Sequence, residues 1–105
     1  MFAEPLDDYE IAYFKFPRED CYSFWNLNVD FSLSLAFLNS ENEIVDFQDL
    51  EKQSAKSVSP NSNNVKFVVE ANKGLFKKLD INVGDKLVLR DNKLILKKKI
   101  GRAHV

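Results

Sequence analysis

Residues 65–99, VKFVVEANKGLFKKLDINVGDKLVLRDNKLILKKK, decide the fold. They open with VKFVVE, an apolar run that is typical of a strand. A helix of about two turns is predicted near residues 73–79, because apolar side chains recur there on one face. That face carries Leu75, Phe76 and Leu79. Asn72 is the predicted N-cap, since its side chain can accept a hydrogen bond from a free backbone amide. A helix this short needs tertiary packing to persist.

The second half of this segment predicts a β-hairpin. Gly84 allows a tight turn into the first strand, and Asp91-Asn92 suits a two-residue loop because both residues tolerate positive φ. This loop pairs Leu87 with Leu96, Val88 with Ile95 and Leu89 with Leu94. We expect the four leucines to face the core together, whereas the opposite face holds Lys86, Arg90, Lys93 and Lys97 around Val88 and Ile95.

Aromatic or alternating runs upstream predict further strands. They cover residues 11–17, closed by Pro17, and residues 22–26, 31–38 and 43–50. Residues 31–38, FSLSLAFL, alternate apolar with small side chains, which predicts a half-buried strand. Residues 51–64 are rich in Ser, Asn and Pro without apolar periodicity, and this favours a long exposed loop.

The length of 105 residues and the hydrophobic fraction of 45% suit one domain with one core. The strand-rich pattern predicts a mostly β (α+β) fold over residues 1–98, a small barrel or rolled antiparallel-rich sheet of about six to seven strands with the one short helix. Residues 99–105 carry no pattern and are expected to be a disordered or artificial tail.

Charge is unevenly distributed along the chain. Residues 1–65 hold four Lys/Arg and twelve Asp/Glu, whereas residues 66–105 hold eleven Lys/Arg and four Asp/Glu. Such asymmetry can indicate a nucleic-acid surface, or two halves that face each other within one fold. Twelve of the fifteen basic residues are Lys, which lacks the forked donor geometry of Arg. We therefore do not expect nucleic acid as the partner.

The residues that would carry metal, cofactor or nucleophile chemistry are sparse. One cysteine, Cys21, and one histidine, His104 near the end, make no zinc set and no nucleophile pair. The three glycines stand apart, so no glycine-rich phosphate loop exists. The sequence singles out no pair of carboxylates, although it leaves such catalysis open. We expect no metal, no cofactor and no catalytic residue.

The chain carries no sign of export or of membrane insertion. No run reaches the roughly 18 apolar residues of a membrane span, and the start, MFAEPLDDYE, is acidic, unlike a secretion signal. The lone Cys21 makes no internal disulfide. A cytoplasmic location without membrane contact is expected, unless an upstream segment has been removed.

The only tryptophan lies in SFWNLN, residues 23–28. Trp25 is either a core anchor beside Phe24, because large aromatic side chains dominate cores, or the mark of a binding site. Asn28 most often supports a turn. Asp85 is expected to cap the turn after Gly84, or to tie the following strand to a neighbour.

Several blocks together resemble the bacterial and archaeal domain of unknown function 192 family, over about residues 1–90. The matching positions are Met1-Phe2, Phe14, Phe16-Pro17, Ser23-Phe24-Trp25, Asn28, Leu33, Ala36-Phe37-Leu38, Ile44-Val45 and much of residues 65–87. The resemblance implies a β-rich fold and no particular activity. The family's first strand would lie upstream of Met1, so the chain is expected to lack it.

Departures from the family pattern concentrate at polar positions. Family members carry Met-Lys where this chain has Asn26-Leu27, and Pro and Asp at the positions of Ser32 and Ser34. Since Ser cannot replace a carboxylate as a base or metal ligand, the chain is expected to keep the fold without family catalysis. On this resemblance, Ser34→Asp should leave folding nearly intact.

The predicted function is that of a non-enzymatic binding or accessory module with a protein partner. The candidate binding residues are Trp25, Asn28, Ser32 and Ser34, and the structural motif is Phe24, Trp25, Gly84 and Asp85. Residues 66–98 also resemble the strand, helix and Gly-Asp unit of AbrB-like regulators and double-psi barrels. The alternatives are therefore an AbrB-like DNA-binding transcriptional regulator and an enzyme with an unrecognised site.

Overall fold

The computed structural model describes residues 11–24, 31–52 and 57–99. The predictions that concern residues 1–10, 25–30, 53–56 and 100–105, including those on Trp25 and Asn28, lie outside the described residues. The described elements are β1 (Ile11–Asp20), β2 (Leu33–Leu38), β3 (Ile44–Leu50), β4 (Val65–Asn72), α1 (Leu75–Lys78), β5 (Lys86–Arg90) and β6 (Lys93–Lys97). The mostly β class with one short helix is confirmed for this part of the chain.

The strands form two antiparallel sheets. A four-stranded sheet has the order β1-β4-β2-β3, and β5 and β6 form a separate hairpin. Within the described ranges the larger sheet does not close, so β1 and β3 are the edge strands of this part of the chain. The architecture is an open sheet with a hairpin packed against it, rather than a closed barrel.

β2 lies at the centre of the molecule. Its side chains alternate as predicted, with Ser34, Ala36 and Leu38 on one face and Leu33, Leu35 and Phe37 on the other. All six of its residues are nevertheless buried, so the prediction of a half-buried strand is wrong. The small side chains of Ser34 and Ala36 on the first of these faces leave room for α1 and the turn before it.

The core has two parts, one on each face of the sheet. The helix-side core consists of Ala36, Leu38, Ile44, Val69, Ala71, Leu75, Phe76, Ile81 and Leu87. The loop-side core consists of Leu33, Leu35, Phe37, Leu50, Val65 and Val68, and half-buried aromatic residues from segments 14–24 and 31–37 pack around it. The hairpin and α1 cover the first part.

The hairpin has the predicted register, with Leu87 opposite Leu96, Val88 opposite Ile95 and Leu89 opposite Leu94. Asp91 and Asn92 both have positive φ, 53° and 60°, as a two-residue loop requires. Leu87 is 2% exposed, and Leu94 and Leu96 pack against the helix-side core. Leu89 is 44% exposed, so the prediction that all four leucines are in the core is wrong for Leu89. It lies near the hairpin tip, one residue before the end of β5.

The helix is shorter than predicted and begins differently. α1 starts after Gly74, which has φ +91°, and no side chain caps it. Asn72 belongs to β4, so its prediction as the N-cap is wrong. β4 continues through Asn72 because its ladder with β2 extends to the Leu33–Asn72 pair, and Gly74 then supplies the left-handed turn that only a glycine adopts without strain.

β1 continues past Pro17 to Asp20, so the prediction that Pro17 closes this strand is wrong. The pairing with β4 is irregular between Lys15 and Asp20, and a proline without an N–H fits such an interruption on an edge strand. In the described part of the 51–64 loop, Val58 bridges to Phe24 and Pro60 is buried. This loop is therefore anchored to the 21–24 segment near its end.

Candidate functional site

Ser34 is buried beneath the turn that leads into α1. Its Oγ donates to Asp49 Oδ1 at 2.9 Å and accepts from the Gly74 amide at 3.0 Å. The first contact follows from the register, since Ser34 and Asp49 are cross-strand partners of β2 and β3. The hydroxyl thus joins β3 to the start of α1 and leaves Ser34 only 6% exposed.

Ser32 lies just before β2 and bonds to the end of β3. Its Oγ donates to Glu51 Oε1 at 3.3 Å and accepts from the Lys52 amide at 3.0 Å. Glu51 in turn pairs with Lys73, whose Nζ lies 2.9 Å from Glu51 Oε2. The Lys73 hydrogen bond lowers the pKa of Glu51, and the same bond raises the pKa of Lys73. Both sequence-predicted serines therefore lie along one surface, near the β3 end and the α1 start.

A groove of about 430 Å³ opens beside Ser34, and we call it the Ser34 groove. Phe47, Phe76 and Ile81 form its apolar floor, and the rings of Phe47 and Phe76 lie 5.5 Å apart. Its polar rim consists of Asp49, Lys73, Lys77 and Asn82. The groove runs between β3 and α1, so a sheet edge forms one wall and a helix forms the other.

The rim of the Ser34 groove combines both signs of charge. Asp49 accepts from Ser34, and Lys73 is occupied by Glu51. Lys77 is exposed and makes no ion pair with any residue in ranges 11–24, 31–52 and 57–99. An apolar floor with a few charged groups at the rim is the usual composition of a binding site.

Gly84 and Asp85 hold the hairpin against the large sheet. Gly84 has φ +97°, and a Cβ there would meet the Lys99 side chain at 2.7 Å. Asp85 is buried and accepts from the amides of Asn82 and Lys99, each at 2.8 Å, and from Lys98 Nζ at 2.7 Å. Burial alone would raise the pKa of Asp85, but these hydrogen bonds and the Lys98 charge lower it to about 2.

The other members of the predicted structural motif fall in different places. Phe24 is half-buried and forms backbone bonds with Val58, and its ring lies 5.6 Å from that of Phe37. It contributes to the loop-side core, on the sheet face opposite the Ser34 groove. Trp25 and Asn28 lie outside the described residues, so their assignment to a binding site stays a prediction.

Glu70 is a feature that the sequence reasoning missed. Its side chain is 1% exposed, and neither carboxylate oxygen has a hydrogen-bond partner in the described part of the chain. Burial raises its pKa to about 7. The period of two in VKFVVE was the available signal, because it places Glu70 on the same sheet face as Val68, next to Leu35 of β2.

Within the described ranges, no three His, Cys, Asp or Glu side chains are grouped so that they could hold a metal ion. In the same ranges, no helix has the length and hydropathy that crossing a bilayer requires.

These features define a small open-sheet domain with a mixed-charge groove at a sheet edge. The family described as DUF192, uncharacterized ACR, matches residues 1–89, and the chain belongs to this family. The resemblance seen in the sequence is therefore confirmed. No curated protein matches the chain.

Two solved structures are similar to the domain. One is a candidate transcription regulator from Sinorhizobium meliloti 1021, with 22% identity and a TM-score of 0.75 over 82% of this chain and 67% of that chain. The other is a protein of unknown function from Novosphingobium aromaticivorans DSM 12444, with 25% identity and a TM-score of 0.74 over 82% of this chain and 61% of that chain. This chain thus spans about three fifths of the length of the second protein.

Proposed function

We propose that this protein is a non-enzymatic binding module that holds a segment of a partner protein in the Ser34 groove. The observation that carries the proposal is the groove itself, with its floor of Phe47, Phe76 and Ile81 and its charged rim. A volume of about 430 Å³ falls within the range of small binding pockets. One or two apolar side chains of a partner would fill it and remove the partly exposed Phe47 ring from water.

The chemistry of Ser34 supports binding rather than catalysis. Its hydroxyl donates to Asp49 and accepts from the Gly74 amide, so both functions of the hydroxyl are used inside the fold. A nucleophilic serine needs an adjacent base that is oriented by a third group. No histidine lies within the described ranges, and Asp49 here holds the wall of the groove in place.

DNA binding is the second candidate function, and one observation favours it. On the outer face of the hairpin, Lys86 lies opposite Lys97 and Arg90 opposite Lys93, without an ion pair to other described residues. Like charges directly across a ladder are unfavourable, so a polyanion would relieve them. We place it second because one Arg among four basic groups offers little forked recognition of phosphate or base.

Site-specific photocrosslinking in the source organism tests the proposed function. A photoreactive amino acid replaces Asn82 at the groove rim, and a matched variant carries it at Lys97 on the hairpin. Both positions are exposed, so folding should be unaffected. We expect a discrete protein adduct from position 82 and none of that mass from position 97. The same adducts from both positions, or none from position 82, would overturn the proposal.

A further inference from the structure

Among the strands that the structure describes, β3 is an edge strand, and its outer side is open to other described segments along the Ser34 groove. At its start, Ile44 exchanges backbone hydrogen bonds with the 84–85 turn, at 2.8 Å and 2.9 Å. Beyond that point, no described backbone outside β2 bonds to the backbone of the β3 residues 45–50, although the Asn61 amide donates to the Asp46 carboxylate at 2.8 Å. An unpaired edge strand presents a row of free N–H and C=O groups that can template another strand.

The hydrogen-bond ladders of β2 with β4 and β3 show which backbone groups of β3 point outward. The Lys73 amide donates to the Ser32 carbonyl at 3.3 Å, which assigns the even-numbered residues of β2 to bonds with β4. The odd-numbered residues of β2 therefore bond to β3, at Asp46, Gln48 and Leu50. The N–H and C=O groups of Phe47 and Asp49 point away from the sheet.

The same two residues line the Ser34 groove. Phe47 contributes its ring to the floor, and Asp49 contributes its carboxylate to the rim. A chain that paired with their backbone would run along the mouth of the groove. Because side chains alternate along a strand, every second side chain of that chain would point into the groove, towards Phe76.

We propose that the partner segment binds as an extended strand added to the outer edge of β3. Its main chain pairs with Phe47 and Asp49, apolar side chains two positions apart enter the Ser34 groove, and an acidic side chain meets Lys77. This inference rests on the proposed function and specifies how the groove is used. Main-chain hydrogen bonds supply affinity in such strand addition, and the groove supplies specificity.

Charge favours a different protein over a second copy of this chain as the occupant. Two β3 edges paired with each other would place Asp46 and Asp49 of both copies in one ladder that contains no basic residue. Charged residues on an edge strand are a common protection against self-pairing. Lys77 lacks an ion pair among the described residues, so an acidic side chain on the partner complements it.

The test starts from a display library of random nonapeptides, selected on the immobilised protein. Enriched sequences are synthesised in three forms: unmodified, N-methylated at the even amides and N-methylated at the odd amides. We expect the enriched peptide sequences to contain apolar residues two positions apart beside an acidic residue. One N-methyl series should weaken binding about tenfold or more, because it removes the donors to β3, while the other series binds within about twofold of the unmodified peptide.

Protein variants locate the peptide. Lys77→Glu should weaken the acidic peptides, whereas Lys97→Glu, the same charge change on the hairpin, should not. Bound peptide should also slow the hydrogen exchange of the Phe47 and Asp49 amides. Absence of any enriched sequence, or apolar residues spaced three or four apart as in a helix, would overturn strand addition.

Two further outcomes separate this inference from the proposed function. Peptides that respond to Lys77→Glu but tolerate both N-methyl series equally would refute strand addition and leave the groove as the binding site. Peptides that bind without changing the hydrogen exchange of the Gly74 and Asn82 amides would refute both strand addition and the proposed function, because the peptide would then not contact the walls of the groove.

Discussion

Glu70 predicts an unusual dependence of stability on pH. Its carboxylate is buried without a hydrogen-bond partner among the described residues, and burial raises its pKa from the ordinary 4.5 to about 7. A raised pKa on an acid means that the folded state holds the proton more tightly than the unfolded state. The ionised form is therefore unfavourable in the fold, and stability falls as pH rises from about 4.5 to about 7.

The size of this effect follows from the shift. The difference between 4.5 and about 7 corresponds to a loss of about 3 kcal/mol above pH 7, of which about 2.5 kcal/mol falls between pH 5 and pH 8. Glu70→Gln removes the ionisation and keeps the shape. We expect it to resemble the parent protein at pH 5 and to be more stable by about 2–3 kcal/mol at pH 8.

Urea denaturation of both proteins at several pH values between 5 and 8 measures this effect. Comparison of the two proteins at each pH removes the contribution of every other titrating group. Glu41→Gln is the control, because Glu41 is an exposed carboxylate on a turn, and it should change the curve little. If the free energies of unfolding of Glu70→Gln and the parent protein differ by the same amount at pH 5 and at pH 8, burial of the Glu70 carboxylate does not cause the pH dependence.

Four other predictions follow from the geometry. Leu87→Ala should lower the free energy of unfolding by ~2–5 kcal/mol, and Leu89→Ala should lower it clearly less, because Leu87 is buried and Leu89 is exposed. Chemical denaturation that gives the reverse order would contradict the assignment of Leu87 to the core. Because the pKa of Asp85 is lowered from its ordinary 3.8 to about 2, the ionised carboxylate should stabilise the fold above pH 3.8, and this stabilisation should be lost as the pH falls towards 2. Asp85→Asn removes this ionisation, so the stability of the variant should depend less steeply on pH in acid unfolding followed by circular dichroism. Ser34→Asp should destabilise the domain by about 1–3 kcal/mol rather than leave it intact, because the new carboxylate would lie against Asp49; a calorimetric midpoint equal to that of the parent would disagree. Duplex DNA should bind only non-specifically, with Kd near 10⁻⁴–10⁻⁶ M at physiological salt, and a sequence-selective sub-micromolar complex in a fluorescence anisotropy titration would promote the DNA-binding alternative.

The hairpin was predictable because local chemistry fixes it. Asp91-Asn92 sets the loop, and the alternation around Leu87 and Leu94 sets the faces, so the register follows from the sequence. The exposure of Leu89 was not predictable, because it depends on which distant residues cover the hairpin near its tip. The local sequence pattern predicts on which face of a strand a side chain lies, but it does not predict how much of that side chain other segments bury.

The Ser34 groove depends on contacts between distant segments. Its walls come from β2, β3 and the β4–α1 turn, and no local pattern states that Gly74 would lie over Ser34. The start of α1 was misplaced for the same reason, since the ladder between β2 and β4 outweighs the capping preference of Asn72. The family resemblance pointed to position 34, but the groove became visible only in three dimensions.

A partner protein that occupies the Ser34 groove along β3 should protect the backbone amides of both groove walls. Amide hydrogen exchange of the protein is measured free and bound to the partner captured at position 82. We expect slower exchange at Phe47 and Asp49, with further changes at Gly74 and Asn82 across the groove. Slower exchange confined to the hairpin residues 86–97, with Phe47 and Asp49 unchanged, would contradict this prediction.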